Sequence, residues 1–177
     1  SGHGGGAGTC PGIEVQGRYG PVHQHHIASG LTTMRWACVL LPQLALDAVL
    51  RGRSDPEAPL ILLSGPAQRR LVQALNPAAR ALGLRAGQSL AAVLARHPQV
   101  ERLDYEVAQV ERWHAFLAAW AYRFSAQVSL DFPRAVVFEV QSSMGLFGPW
   151  PRFEARLRAE LTRLGFRHRI VCAPNPL

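Results

Sequence analysis

The chain has 177 residues, of which 48% are hydrophobic and 18% are charged. This balance excludes a disordered or fibrous protein and is sufficient for one core, or a core with a small additional lobe. The net charge is +7 and all 19 basic residues are arginines. A basic excess is typical of proteins that bind polyanions, but arginine without lysine is equally typical of a GC-rich genome.

No apolar run is long enough to cross a membrane, and the start lacks the basic-then-apolar order of a secretory signal. We therefore expect a soluble cytoplasmic protein with no membrane contact. The three cysteines, Cys10, Cys38 and Cys172, are too few for a disulfide framework. Cys38 and Cys172 lie in apolar strand-like runs, which predicts buried and unreactive thiols.

The first 33 residues are rich in glycine and have no sustained hydrophobic periodicity. We interpret residues 1–33 as a flexible leader, either translated upstream sequence or a segment added for expression. The cluster His23, His25 and His26 lies in this segment. Without a rigid element or a further ligand, it is more typical of solvated coil than of a metal site.

From Met34 onward, strand and helix patterns alternate. Asn76 and Ser89 are predicted helix N-caps, and Gly83 a helix stop. The predicted elements of this half are a strand in RWACVLL, a helix in QLALDAVLRG, strands in PLILLSG and RRLVQAL, and helices in NPAARALG and SLAAVLARHP.

The second half begins with a short strand in VERLDY and a long helix from Glu106 to Phe124. One face of that helix carries Val107, Val110, His114, Leu117, Ala121 and Phe124. His114 is therefore predicted to be a core or boundary residue. A hairpin in VSLDFPRAVVFEV, a helix in PRFEARLRAELTRLGF and a strand in FRHRIVCA follow. The order predicts an α/β (α+β) protein, a sheet with packed helices.

The segment from Ala74 to Pro98 resembles the fingers of Y-family (UmuC/DinB-like) translesion DNA polymerases. The matching residues are Asn76, Ala79, Arg80, Gly83 and Gly87. The resemblance implies that residues 34–177 form a palm with a small fingers subdomain at roughly 53–100. It also implies that the thumb and little finger are absent from this chain.

In that family, carboxylates on the first strand and in the hairpin hold two magnesium ions for nucleotidyl transfer. The resemblance places Leu40, Arg134 and Ala135 at these positions, and Glu139 at a further acidic position of the hairpin. An arginine repels the ion that a carboxylate would hold. The resemblance thus implies a non-enzyme without catalytic residues, bound metal or cofactor.

The fingers tyrosine that contacts the triphosphate is replaced by Pro77, whereas its arginine partner remains as Arg80. Arg80 is either a residual phosphate contact or an ordinary exposed helix arginine.

Two alternatives to a non-catalytic polymerase homologue remain. A register shift that brought Asp47 and Asp131 to the lost positions would give an active polymerase, but it would turn apolar side chains outward. The chain could also be an unrelated α/β interaction module.

The replacement of the catalytic acids resembles that in the ImuB branch of the Y family. That resemblance implies an adaptor in damage-induced mutagenesis, with three protein partners: a RecA-related ImuA-type protein, an error-prone replicative-type polymerase and the sliding clamp. It implies contacts through regions outside this chain and weak, non-specific DNA binding.

Residues Gln43 to Asp47, QLALD, resemble a clamp-binding peptide. Their helical spacing predicts instead that both leucines lie in the core.

Overall fold

The computed structural model describes residues 33–174; apart from Thr33, the predicted leader lies outside them. In chain order the elements are β1 (Trp36–Leu40), α1 (Leu44–Leu50), β2 (Leu60–Ser64), a 3-10 turn (Ala67–Arg69), β3 (Leu71–Leu75), α2 (Pro77–Ala81), α3 (Leu90–Arg96), β4 (Glu101–Asp104), α4 (Val107–Ala121), β5 (Val128–Ser129), β6 (Ala135–Glu139), α5 (Met144–Phe147), α6 (Trp150–Leu164) and β7 (Arg169–Ala173). The mixed α+β class is confirmed.

The larger sheet has the order β5-β6-β1-β7, and all its neighbouring strands are antiparallel. Helices α4 and α6 pack on one face of it. Alternate residues of β1 point to these helices, which is why Ala37 and Val39 are buried. In α6, residues at four-residue steps fill the same core: Phe153, Leu157 and Leu161.

The smaller sheet has the order β3-β2-β4, with β2 antiparallel to β3 and parallel to β4. Its central strand β2 has four successive buried residues, Leu60 to Leu63. Short helices α2 and α3 contribute Ala79 and Val93 to this separate core. The N-caps predicted for these helices are confirmed, because Asn76 and Ser89 accept hydrogen bonds from Ala79 and Ala92.

Some details differ from the sequence prediction. Helix α4 ends at Ala121, and Phe124 follows in a turn whose backbone hydrogen bonds return to Ala121. Val107, predicted to lie on the core face, is 60% exposed because the core contacts of this helix begin at Val110. Helix α5 was not predicted. Cys38 and Cys172 are half-buried and unpaired rather than fully buried.

Candidate functional site

The residues aligned with the catalytic acids meet at one end of the larger sheet. Leu40 ends β1, Ala135 begins β6, and the two are directly paired. The backbone N–H of Leu41 donates to the Arg134 carbonyl at 2.8 Å, which extends the ladder by one bond. Leu40 is 40% exposed, whereas Ala135 is only 2% exposed. The fold thus brings Leu40, Arg134 and Ala135 together.

Arg134 has a left-handed backbone with φ of 60°, and it is the only non-glycine residue with positive φ between residues 33 and 174. It closes the turn that joins β5 to β6, in which the Ala135 N–H donates to the Phe132 carbonyl at 3.1 Å. A side chain in this conformation costs about 1–2 kcal/mol. No sequence pattern predicted this conformation, because glycine or asparagine is the usual residue there.

A cleft of about 190 Å³ lies next to this sheet end, between the two sheets. Arg134 lines it from the hairpin turn, and Arg80 lines it from α2. Its other lining residues come from the loop after β1 and the start of α1, from β3, from the loop between α2 and α3 and from around the start of α4: Pro42, Gln43, Leu44, Ala45, Leu46, Gln73, Ala74, Leu75, Ala86, Tyr105 and Val110. None of the lining residues in the described chain is an aspartate or glutamate.

Both cleft arginines are exposed, and neither forms an ion pair with any residue in 33–174. Their guanidinium groups therefore give the cleft a positive potential without an internal counter-charge. Arg80 is held in place by its helix, whose N-cap Asn76 is 1% exposed. Pro77 occupies the first helical position, where its missing N–H has no cost.

The acidic residues near this region have other partners. The Asp47 carboxylate accepts the Arg167 backbone N–H at 2.7 Å on the far side of α1. Asp131 accepts the Ser129 hydroxyl at 2.6 Å within the hairpin turn. Glu139, at the other end of β6 opposite Trp36, accepts the Ser142 N–H at 3.0 Å and the Ser142 hydroxyl. None of these three side chains lines the cleft.

Burial raises the pKa of Asp47, and the hydrogen bond and charge of Arg167 lower it by less. The residue is 3% exposed, and its side chain ties α1 to the segment just before β7. Asp47 is therefore a packing residue that joins helix α1 to the segment that leads into the edge strand β7.

His114 has a role that the sequence did not reveal. Its half-buried ring lies on α4, and Nε2 is 2.7 Å from the Ala135 carbonyl. Because a carbonyl only accepts, the proton must be on Nε2, which donates. His114 thus fixes the first residue of β6 beside the cleft. The sequence indicated a boundary position, but no spacing rule connects residues 114 and 135.

The fold and this cleft define a polymerase-like palm with a fingers subdomain. Residues 48–177 match the family described as IMS: impB/mucB/samB, and the chain belongs to that family. No curated protein matches it.

Solved structures with this fold include DinB from Sulfolobus solfataricus, with a TM-score of 0.63 and 14% identity, and Dbh DNA polymerase in a post-insertion binary complex, with a TM-score of 0.66 and 14% identity. An insertion ternary complex of Dbh matches with a TM-score of 0.64 and 15% identity. The match covers 81% of this chain in each case, but only 43% of each solved chain. The architecture is that of the Y-family palm and fingers.

The side chains at this sheet end, Leu40, Arg134 and Ala135, do not fit the magnesium ions that this fold family implies. Mg²⁺ requires near-octahedral oxygen ligands, usually with one or two carboxylates. Leucine and alanine offer no ligand, and the third position is a cation. Within residues 33–174, no three His, Cys, Asp or Glu side chains are grouped closely enough to hold a metal ion.

Over the same residues, no helix is long and apolar enough to cross a membrane.

Proposed function

We propose that this chain is the palm-and-fingers part of a non-catalytic, ImuB-type Y-family polymerase homologue, which acts as a scaffold in damage-induced, error-prone translesion DNA synthesis. The observation that supports this function is the register of the larger sheet, in which Leu40 lies opposite Ala135, the residue that follows the Arg134 turn. The same positions hold the metal-binding acids in the sequence alignment with the family. A cleft with two cations and no carboxylate does not activate a primer hydroxyl through metal ions.

The scaffold works in the cytoplasm with the three partners implied by the ImuB resemblance. These are a RecA-related ImuA-type protein, an error-prone replicative-type polymerase and the sliding clamp. The contacts lie in regions beyond the palm and fingers.

DNA binding by the palm and fingers is weak and independent of sequence, because it relies on arginine contacts to phosphates in a chain of net charge +7. Its affinity should fall steeply as salt rises, since each phosphate contact releases counterions. Filter binding across a salt series measures this slope. Salt-insensitive binding, or a strong preference for one sequence, contradicts the proposal.

Primer extension tests the non-catalytic role, in a protein that also carries the thumb and little finger. We expect no extension with Mg²⁺ or Mn²⁺. Extension that persists through purification and disappears in Asp131→Asn would show that another acid has taken over the chemistry. The scaffold role is tested separately by sedimentation of that protein with the three purified partners, and we expect a complex larger than any pair.

A further inference from the structure

We propose that the outer side of helices α4 and α6 is a docking surface for an acidic, amphipathic helix of a partner protein. Two hollows make up this surface, which we name the docking strip. One hollow, of about 320 Å³, lies between α4 and the end of α6 and is lined by Phe116, Trp120 and Leu164. The other, of about 350 Å³, lies between α5 and the start of α6 and is lined by Leu146, Phe147 and Arg152. The proposal goes beyond the scaffold function, whose partner contacts lie outside the palm and fingers.

Each hollow contains an apolar side chain that the core does not bury. Phe116 is 41% exposed, and Leu146 is 80% exposed, the highest value for a large hydrophobic residue in the part of the chain that the structure describes. Beside Phe116, the Trp120 ring is fixed because its Nε1 donates to Glu160 at 3.0 Å. Exposed apolar side chains next to a fixed aromatic ring are typical of protein interfaces. Since interfaces with DNA are more polar, these residues favour a protein partner.

The docking strip has an excess of positive charge. Glu160 is the only carboxylate among the described lining residues, and it pairs with Arg123 at 3.1 Å and Arg156 at 3.3 Å. Two more arginines, Arg152 and Arg163, line the strip and form no ion pair with any residue in 33–174. A partner with carboxylates complements these charges, whereas a second copy of this chain, with a net charge of +7, is repelled.

The arginines at the second hollow are held in place by their neighbours. The guanidinium carbon of Arg156 lies 5.0 Å from the centre of the Phe147 ring and 5.7 Å from that of Phe124. Arg152 packs against the turn at Gly148, where a β-carbon would lie 3.1 Å from its Cδ. Because these side chains are already ordered, they lose less conformational entropy when they bind a carboxylate.

The length and the architecture of the docking strip suit a short helix. Arg152 and Arg163 both belong to α6, and the rise per residue of a helix places them about 16 Å apart along its axis. A partner helix of roughly three turns covers this distance. Helices form the strip, so it offers no strand edge to which a partner could add a strand. Apolar residues at three- and four-residue steps on the partner can instead enter the hollows, with acidic residues beside the arginines.

Selection of random peptides of about 16 residues, displayed on phage, against the immobilised chain tests the proposal. The recovered peptides are then synthesised, and their affinities are measured by fluorescence polarisation. We expect micromolar peptides in which acidic residues flank apolar residues at three- and four-residue steps. Leu146→Ser and Arg163→Glu should each weaken their binding about tenfold, since each removes a contact of the docking strip.

Two variants outside the docking strip are matched controls. Leu82→Ser removes an apolar side chain that is 41% exposed at the end of α2. Arg96→Glu reverses an exposed arginine in the last turn of α3, as Arg163→Glu does in the last turn of α6. Each control should change the affinity by less than about twofold. All four variants should stay folded, because the altered side chains are exposed, and their melting temperatures check this.

Four results overturn the proposal. The first is that acidic, amphipathic peptides are not enriched, and the second is that the controls weaken binding as much as the strip variants do. The third is self-association of the chain that Leu146→Ser abolishes, which would identify a second copy as the occupant. The fourth is a duplex oligonucleotide that binds more tightly than any peptide and is lost in Arg163→Glu but not in Leu146→Ser, which would identify nucleic acid. None of these results bears on primer extension, so the proposed function is tested independently.

Discussion

Asn76 connects the helix that carries Arg80 to the strand next to it. Its Oδ1 accepts the N–H groups of Ala79 and Leu60, each at 3.0 Å, and its Nδ2 donates to the Ala58 carbonyl at 2.8 Å. The residue thus caps α2, pairs with the first residue of β2 and holds the loop before it. Its match to the family motif therefore has a structural reason.

We expect Asn76→Ala to lower the free energy of unfolding by about 3 kcal/mol. The loss combines about 1 kcal/mol for the helix cap with the cost of leaving the buried Leu60 N–H and the half-buried Ala58 carbonyl without this partner. Ser89→Ala is the matched control, since Ser89 caps α3 through one exposed hydrogen bond to Ala92. It should cost about 1 kcal/mol. Urea unfolding of both variants measures the difference, and equal losses would contradict this role of Asn76.

Asp47 should make stability depend on pH. Because burial raises its pKa in the folded protein, the folded state binds this proton more tightly than the unfolded chain. The resulting contribution to the free energy of unfolding is fully present below the unfolded-state pKa of about 3.9. It is lost as the pH rises through the folded-state pKa.

Asp47→Asn removes this proton but keeps an oxygen that accepts from the Arg167 N–H. The difference in free energy of unfolding, wild type minus variant, should therefore fall as the pH rises from the unfolded-state pKa of Asp47 through its folded-state pKa. Above that range the difference should level off. Urea unfolding from pH 3 to pH 7 measures it. A difference that rises with pH would show that Arg167 outweighs burial and lowers the pKa.

At the scale of elements, α1 shows why a peptide-like motif need not bind a partner. Leu44 and Leu46 of the QLALD stretch are 1% and 2% exposed, and α1 begins at Leu44. The prediction that these leucines lie in the core is confirmed. Moving them into a partner's pocket costs about 2–3 kcal/mol each, comparable to the free energy that the pocket returns.

We therefore expect the folded chain not to bind the sliding clamp, and we expect a protein that also carries regions beyond the palm and fingers to bind it. Calorimetry with purified clamp measures this. Gln43→Ala is the diagnostic variant, because Gln43 precedes α1 and its side chain accepts a hydrogen bond from Arg167. Micromolar binding that Gln43→Ala abolishes would show that the segment leaves the core.

The elements themselves were largely predictable from the sequence, for local reasons. Hydrophobic periodicity located the strands and longer helices, and side-chain caps marked the starts of α2 and α3. Helix α5 has no side-chain cap and only four residues, Met144–Phe147, so it carried little periodic signal. Exposure was less predictable, since periodicity defines a face of α4 but not how far the core extends along it.

The cleft, in contrast, depends on contacts between distant residues. The alignment named Leu40, Arg134 and Ala135, but the left-handed backbone of Arg134 and the contact of His114 with Ala135 have no local sequence signal. The approach of Arg80 to the same cleft depends on how the smaller sheet packs beside the larger one. These features follow from tertiary structure and were therefore outside the reach of pattern reasoning.

At the scale of the whole molecule, a polymerase-like fold surrounds a cleft with arginines where the family implies metal ions. The chain spans 43% of the length of the solved polymerases it resembles. A lack of polymerase activity in the palm and fingers alone therefore has two explanations. Either the metal site is lost, or the test lacks the thumb and little finger. Metal binding does distinguish them, because the resemblance places all the metal-ligand positions in this part of the chain.

The most direct measurement is a Mn²⁺ titration of the chain followed by electron paramagnetic resonance. We predict no saturable site tighter than about 1 mM, or about 4 kcal/mol of binding free energy. Leu40→Asp combined with Arg134→Asp replaces two exposed side chains with carboxylates and should create a tighter site, which controls for the geometry. Saturable micromolar Mn²⁺ binding by the unaltered chain would contradict the account that this cleft has lost its metal site.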